Sequence, residues 1–128
     1  MKSFTLLLIV VLLSCSGAFA QEFKVRLSPE AEQECTALTR RMVNELRLNE
    51  PGYIKLKALN RKRMAQTEEA KQTFRSDAYA LQNRLQEIEL AYEQELLPIL
   101  KPNQLQAYAE YKESAKAKFV AASEERRK

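Results

Sequence analysis

Residues that interrupt helices are rare in this sequence and fall at regular places. After residue 20 the only glycine is Gly52, and each of the four prolines lies beside an end of a segment with helical periodicity. Glycine and proline are the residues that most disfavour helix interiors, so such a chain favours long uninterrupted helices. Apolar residues recur at spacings of three and four, as expected of helices with one buried face. The sequence therefore predicts an all-α protein.

The first 20 residues have the layout of a secretory signal peptide, with a positive start at Lys2 and an apolar run over residues 4–13. That run is about half as long as a membrane-spanning helix. We therefore expect cleavage near Ala20, export to the periplasm and no integral membrane segment. Lipidation at Cys15 is an alternative, but the small residues before Gln21 favour cleavage there.

Residues 21–128 are enough for one domain and contain no histidine and one cysteine, Cys35. Without histidine or clustered cysteines, an ordinary transition-metal site or a histidine-dependent nucleophile pair cannot be assembled. We therefore expect no enzyme activity, no cofactor and no metal site. Cys35 would either be buried as a small apolar residue, which we favour, or form a disulfide between two subunits.

The charges of the chain are segregated along its length. Removing residues 1–20 removes only one cation and leaves a net charge of +3, which is too mild to indicate binding to nucleic acid. Residues 50–75 carry +4, whereas residues 76–97 carry −4. Because opposite charges suit helices that lie side by side, we expect these two segments to be neighbours.

Capping residues and apolar stripes predict four helices, at 29–47, 50–73, 76–97 and 102–123. Ser28 and Asn49 are suitable N-caps, and Gln104 can complete a capping box. We place a turn near 73–77, where the apolar stripe of the second helix runs out. The predicted stripes are Ala31, Cys35, Leu38, Met42 and Leu46; Ile54, Leu56, Leu59 and Met64; Phe74, Ala78, Leu81, Leu85, Ile88 and Tyr92; and Leu105, Tyr108, Ala115, Phe119 and Ala122. The third has the alternating spacing of antiparallel coiled coils.

Three helix starts share a pattern that begins with a leucine. The segments are Leu27-Ser28-Pro29-Glu30-Ala31, Leu48-Asn49-Glu50-Pro51-Gly52 and Leu100-Lys101-Pro102-Asn103-Gln104, and the last two leucines lie 52 residues apart. With the signal peptide, the short capped first helix and the polar middle, this layout resembles the Spy/CpxP-like (LTXXQ-motif) family of periplasmic proteins. The chain departs from the motif at Asn49 and Lys101, where the family prefers threonine, and at Gly52 in place of glutamine.

The resemblance implies a thin, curved helical protomer that dimerises into a cradle and acts as an ATP-independent chaperone for unfolded envelope proteins. The narrow stripes agree, because they bury little surface in one protomer and favour a homodimer. Basic and adaptable residues would contact clients: Arg40, Arg41, Met42, Lys55, Arg61, Lys62, Arg63 and Met64. Five motif residues would be structural: Leu48, Asn49, Leu100, Pro102 and Gln104.

Three other interpretations of the sequence stay open. The chain could be a stress-responsive accessory protein that binds the periplasmic domain of a sensor kinase or a metal-resistance partner, with carboxylates such as Glu87 and Glu93 as a weak metal buffer. It could be a Skp-like trimer, although only residues 23–27 could supply the required strand. An amphipathic membrane-surface binder is disfavoured, because the stripes are narrow and tryptophan is absent.

Overall fold

The computed structural model describes residues 26–127, and the predicted signal peptide with Cys15 lies outside them. The described chain consists of α1 (Pro29–Leu46), α2 (Glu50–Thr73), α3 (Ala78–Leu96), a 3₁₀ turn (Leu97–Ile99) and α4 (Pro102–Glu125). No strand occurs within residues 26–127, so the all-α prediction is confirmed for this part of the chain. The predicted helices differ from these bounds by at most two residues at any end.

Side-chain caps fix where three of the helices begin. Ser28 Oγ accepts a hydrogen bond from the backbone of Ala31 at 3.2 Å, and Asn49 Oδ1 accepts from Gly52 at 3.0 Å. Asp77 Oδ1 does the same for α3, at 2.9 Å from the backbone nitrogen of Ala80. Such bonds satisfy amides that have no partner within the helix. The Asp77 cap explains why residues 50–97 form two helices although no glycine or proline separates them.

Helix α2 is the centre of the fold, because it packs against both α1 and α3, while α4 packs against α1. Short connections make α1–α2 and α2–α3 antiparallel hairpins. One apolar cluster joins all four helices, and its buried members are Met42, Leu46, Leu56, Leu59, Tyr92, Leu96, Leu100 and Tyr108. The core therefore lies at the end of the bundle where α1 finishes and α4 begins.

A fully buried polar cluster joins three helices beside this core. Asn60 of α2 donates to Thr39 Oγ1 of α1 at 3.0 Å and accepts from the Tyr92 hydroxyl of α3 at 2.7 Å. Asn60 also donates to Met42 Sδ at 3.6 Å, and Thr39 donates to the Cys35 carbonyl at 2.7 Å. Every buried side-chain nitrogen and oxygen within residues 26–127 has a partner. The cluster therefore adds directional contacts without leaving an unpaired polar group.

Several predicted stripe residues lie elsewhere than expected. Ile54 is 62% exposed, because it is two positions from Leu56, and residues two apart point away from each other on a helix. Phe74 is the C-cap of α2, so it belongs to the turn before α3. The stripe of α4 is buried only at Tyr108, whereas Phe119 is 75% exposed.

We expect Asn60→Ala to lower the free energy of unfolding by about 2–3 kcal/mol, because it leaves the Tyr92 hydroxyl with only a sulfur acceptor and opens a small cavity. Asn83→Ala is the matched control, since Asn83 is an exposed asparagine in α3, and should change stability by less than about 0.5 kcal/mol. Urea unfolding followed by circular dichroism measures both. Equal effects of the two substitutions would show that the hydrogen bonds of the buried cluster do not contribute to the free energy of unfolding.

Candidate partner-binding surface

Three consecutive cations of α2 are engaged inside the protomer. The ion pairs join Arg61 to Glu32 of α1 at 2.6 Å, Lys62 to Glu95 of α3 at 2.6 Å, and Arg63 to Glu89 of α3 at 3.3 Å. The predicted pairing of the basic second helix with the acidic third helix is confirmed by the last two. These cations therefore already have carboxylate partners, which a client or partner protein would have to displace.

Arg63 is held more firmly than its two neighbours. Its guanidinium lies 4.1 Å from the centre of the Tyr92 ring, a favourable cation–π geometry. Its side chain is 24% exposed, and both carboxylate oxygens of Glu89 lie within hydrogen-bond distance. Arg63 thus covers the buried Asn60 cluster from outside, and we assign it a structural role.

Met42, which is predicted to contact clients, and Cys35, for which burial is the favoured prediction, are both buried in this fold. Met42 is 1% exposed and accepts from Asn60 and Tyr92, so the surface role predicted for it requires correction. It fills the core because it continues the stripe of α1. Cys35 is 0% exposed, in keeping with the favoured prediction. A disulfide between subunits would require α1 to open, and burial also raises the pKa of the Cys35 thiol, which disfavours the reactive thiolate.

The remaining predicted binding residues stay accessible. Arg40, Arg41 and Lys55 are exposed, and Met64 is partly buried. Within residues 26–127, none of the three cations belongs to an ion pair. We call Arg40, Arg41 and Lys55 the basic surface.

A second accessible feature is the C-terminal half of α4, residues 113–125, which we call the distal arm. After Tyr111, every residue up to Ala122 is exposed. Phe119 and Val120 are 75% and 46% exposed, and Lys116 and Lys118 flank them. The stripe predicted for this helix continues through this segment, so its exposure corrects that prediction. A signal to the contrary was present, since Lys112 stands at the seam position between Tyr108 and Ala115.

The two motif segments meet in space. Gln104 Oε1 accepts from the backbone of Lys101 at 2.9 Å, as predicted. The Gln104 Nε2 also donates to the Arg47 carbonyl at 3.2 Å, next to Leu48 and the Asn49 cap. Arg47 is the one non-glycine residue with positive φ among those described, at 52°. Leu100 belongs to the buried core and Leu48 packs against it, while Pro102 begins α4. Leu48, Leu100 and Gln104 therefore join the two segments at one end of the bundle.

Within residues 26–127, no three His, Cys, Asp or Glu side chains are placed to hold a metal ion. None of the described helices is sufficiently long and apolar to cross a bilayer. A groove of about 380 Å³ lies on one face of α3.

Comparison with models of known families, with curated proteins and with solved structures gives no match for this chain. The family resemblance therefore depends on the two motif segments and the layout of the helices alone.

We expect Gln104→Ala to lower the free energy of unfolding by about 1–2 kcal/mol, because it removes a cap and the link to the Arg47 carbonyl. Gln106→Ala is the control, since Gln106 is exposed and bonds only to Glu110 on the same helix. Thermal unfolding distinguishes them, and equal losses would contradict a special role for Gln104.

Two buried tyrosines should make stability fall at high pH. Burial raises the pKa of Tyr92 from 10.0 to about 12 and Glu89 adds to this, while Arg63 acts in the opposite direction. Burial, followed by the charge of Glu93, also raises the pKa of Tyr108. The folded state favours the neutral phenol of both tyrosines. The stabilisation that results is therefore fully present below pH 10 and is lost as the pH rises towards the folded-state pKa.

In the window between pH 10 and 12, we expect Tyr92 to contribute a loss of about 1.4 kcal/mol per pH unit. Denaturant titrations across this window should show that the free energy of unfolding falls less steeply with pH in Tyr92→Phe than in the wild type. Tyr79→Phe is the control, since Tyr79 is 78% exposed. The control is needed because lysines titrate in the same range and affect all three proteins alike. Identical slopes for the wild type, Tyr92→Phe and Tyr79→Phe would show that Tyr92 is not the source of the loss.

Proposed function

We propose that the protein is an ATP-independent periplasmic chaperone of the holdase type, a member of the Spy/CpxP-like family that acts as a homodimer. It would bind unfolded or partly folded envelope proteins through accessible basic and apolar side chains. Binding needs no catalysis and no nucleotide, in agreement with the lack of histidine.

The observation that carries this proposal is the coexistence of accessible cations and large accessible apolar residues on one small helical protein. The basic surface is exposed, and so are seven large apolar residues among residues 26–127: Ile54, Tyr79, Leu90, Leu97, Leu105, Phe119 and Val120. Exposed apolar groups would contact hydrophobic segments of an unfolded chain, and cations would attract acidic segments. Together they suit weak binding to many sequences.

A second candidate function is recognition of one acidic site, on a sensor-kinase periplasmic domain or a metal-resistance partner. The observation that favours it is the small size of the basic surface once Arg61, Lys62 and Arg63 are paired internally. Pull-down from envelope extracts separates the two functions. A single stoichiometric partner supports the accessory protein, whereas a broad mixture supports the holdase.

The chaperone proposal is tested with a charge reversal that leaves the internal ion pairs intact. We expect Arg40→Glu combined with Arg41→Glu and Lys55→Glu to weaken suppression of client aggregation several-fold, more at low than at high ionic strength. Light scattering of an unfolding client measures it. The variant should unfold at nearly the same temperature as the wild type, because exposed charges contribute little to stability.

Arg63→Glu provides the contrasting control. It should lower the unfolding temperature because it places a carboxylate beside Glu89 and removes the contact with the Tyr92 ring. Failure of the wild-type protein to suppress aggregation of several unrelated clients would remove the chaperone proposal. If the triple variant suppressed client aggregation as well as the wild type does, the basic surface would have no part in client binding.

A further inference from the structure

The groove on α3 continues a face of that helix whose other half is buried. The groove is lined, among the described residues, by Ala78, Leu81, Gln82, Leu85, Gln86 and Glu89. Tyr92 and Leu96 continue the same row at spacings of three and four, and both belong to the buried core that α3 shares with α1. The face is therefore covered at the core end of α3 and open towards the turn between α2 and α3.

Helix α1 begins level with the boundary between the covered and the open half. Glu32, in the first turn of α1, pairs with Arg61 of α2. Arg63, two residues further along α2, pairs with Glu89 at the end of the groove. Because α1 and α2 are antiparallel, the residues that precede Pro29 approach α1 from the direction of the open half.

The residues before α1 have the pattern of a chain that covers an apolar face. We call residues 23–27 the N-terminal segment, in which apolar and basic residues alternate as Phe23-Lys24-Val25-Arg26-Leu27. In an extended chain, alternate side chains point to opposite sides. The two members that the structure describes follow this alternation, since Leu27 is partly buried and Arg26 is exposed.

The lengths of the segment and of the groove agree. An extended chain advances about 3.3 Å per residue, so Phe23 can lie about 17 Å from Ser28. A helix rises about 1.5 Å per residue, so the groove from Glu89 to Ala78 is about 17 Å long. The N-terminal segment is therefore long enough to cover the whole groove.

We infer that the N-terminal segment packs as an extended strap along the α3 groove of its own chain. Leu27 lies near Leu85 and Val25 near Leu81, because two residues of an extended chain and four residues of a helix both span about 6 Å. Phe23 then reaches the end of the groove beside the turn. The strap covers apolar surface that the helices leave open, and so keeps other apolar molecules out of the groove.

The strap depends on apolar contact and not on charge, because the acidic residues of α3 beside the groove are already paired within the chain. It also concerns a different face from the basic surface. The strap can therefore be present or absent whether or not the protein holds clients, and its tests measure proximity and covering within one chain.

The first test asks whether the segment lies on the groove side of α3. Val25→Cys is combined with Leu81→Cys in one variant and with Asn83→Cys in the matched control, and Cys35→Ala removes the remaining thiol from both. The chain begins at Gln21, which keeps every described residue. Positions 81 and 83 are close in sequence but point to different sides of the helix.

With dilute oxidised glutathione, we expect the Leu81→Cys variant to form a disulfide within one chain at least about tenfold faster than the control, because the bond requires the two Cα atoms to lie within about 7 Å. Mass spectrometry of the unreduced chains separates a bond within one chain from a bond between two. Equal rates in the two variants would overturn the inference, and so would a disulfide that forms only between chains.

The second test asks whether the segment covers the groove. Phe23→Ser with Val25→Ser removes the apolar side of the strap, whereas Lys24→Ser with Arg26→Ser, the matched control, removes the basic side. The fluorescence of Nile red, an uncharged dye that binds apolar surface, should rise at least about twofold with the first variant and stay at the wild-type level with the control.

Circular dichroism should show the same helix content in these proteins, because all four substitutions precede α1. If the segment did not cover the groove, the loss of two apolar side chains would leave the dye fluorescence unchanged or lower it. Either result, or an equal rise with the control, would overturn the inference.

Discussion

The hydrogen bonds of Asn60 are the constraint on which the arrangement of this bundle depends. Apolar stripes specify which faces meet but tolerate sliding of one helix along another. The Asn60 amide must reach Thr39 on one side and Tyr92 on the other, at 3.0 and 2.7 Å, and a shift of one turn would break both bonds and leave the buried Asn60 amide unpaired. The cost of that outcome exceeds the gain from any one bond, so the cluster selects a single register for α1, α2 and α3.

A register fixed in this way decides which charges can meet at the surface. Once Asn60 lies against Tyr92, Arg63 stands over the same ring and within reach of Glu89. These outer pairs are partly exposed, so each contributes little by itself. Their acids lie in the C-terminal half of α3, where they oppose the helix dipole, and the cations of α2 offset that repulsion.

The sequence was sufficient to predict features that depend on neighbours along the chain. The caps at Ser28 and Asn49, the turn before Asp77 and the bounds of the helices all follow from local chemistry. The Asn60 cluster could not be predicted in the same way, because partners 21 and 32 residues away complete it. A signal did exist: Thr39 and Asn60 stand four residues after Cys35 and Leu56, at core-facing positions where polar residues need a partner. The exposure of Phe119 could not be predicted either, because it depends on where the tertiary contacts of α4 end, which is at Lys112 with its ion pair to Glu93.

Helix geometry also explains why the predicted binding residues do not all lie on one accessible surface. Successive residues of an α-helix are rotated by about 100°, so Arg61, Lys62 and Arg63 cannot share a face although they are adjacent in sequence. In the structure the first turns to α1 and the other two to α3. Cations in a central helix therefore form ion pairs with the helices on either side of it. Binding of a partner is expected instead where a helix face has no neighbouring helix. In this chain those places are the outer side of α1, which carries Arg40 and Arg41, and the distal arm.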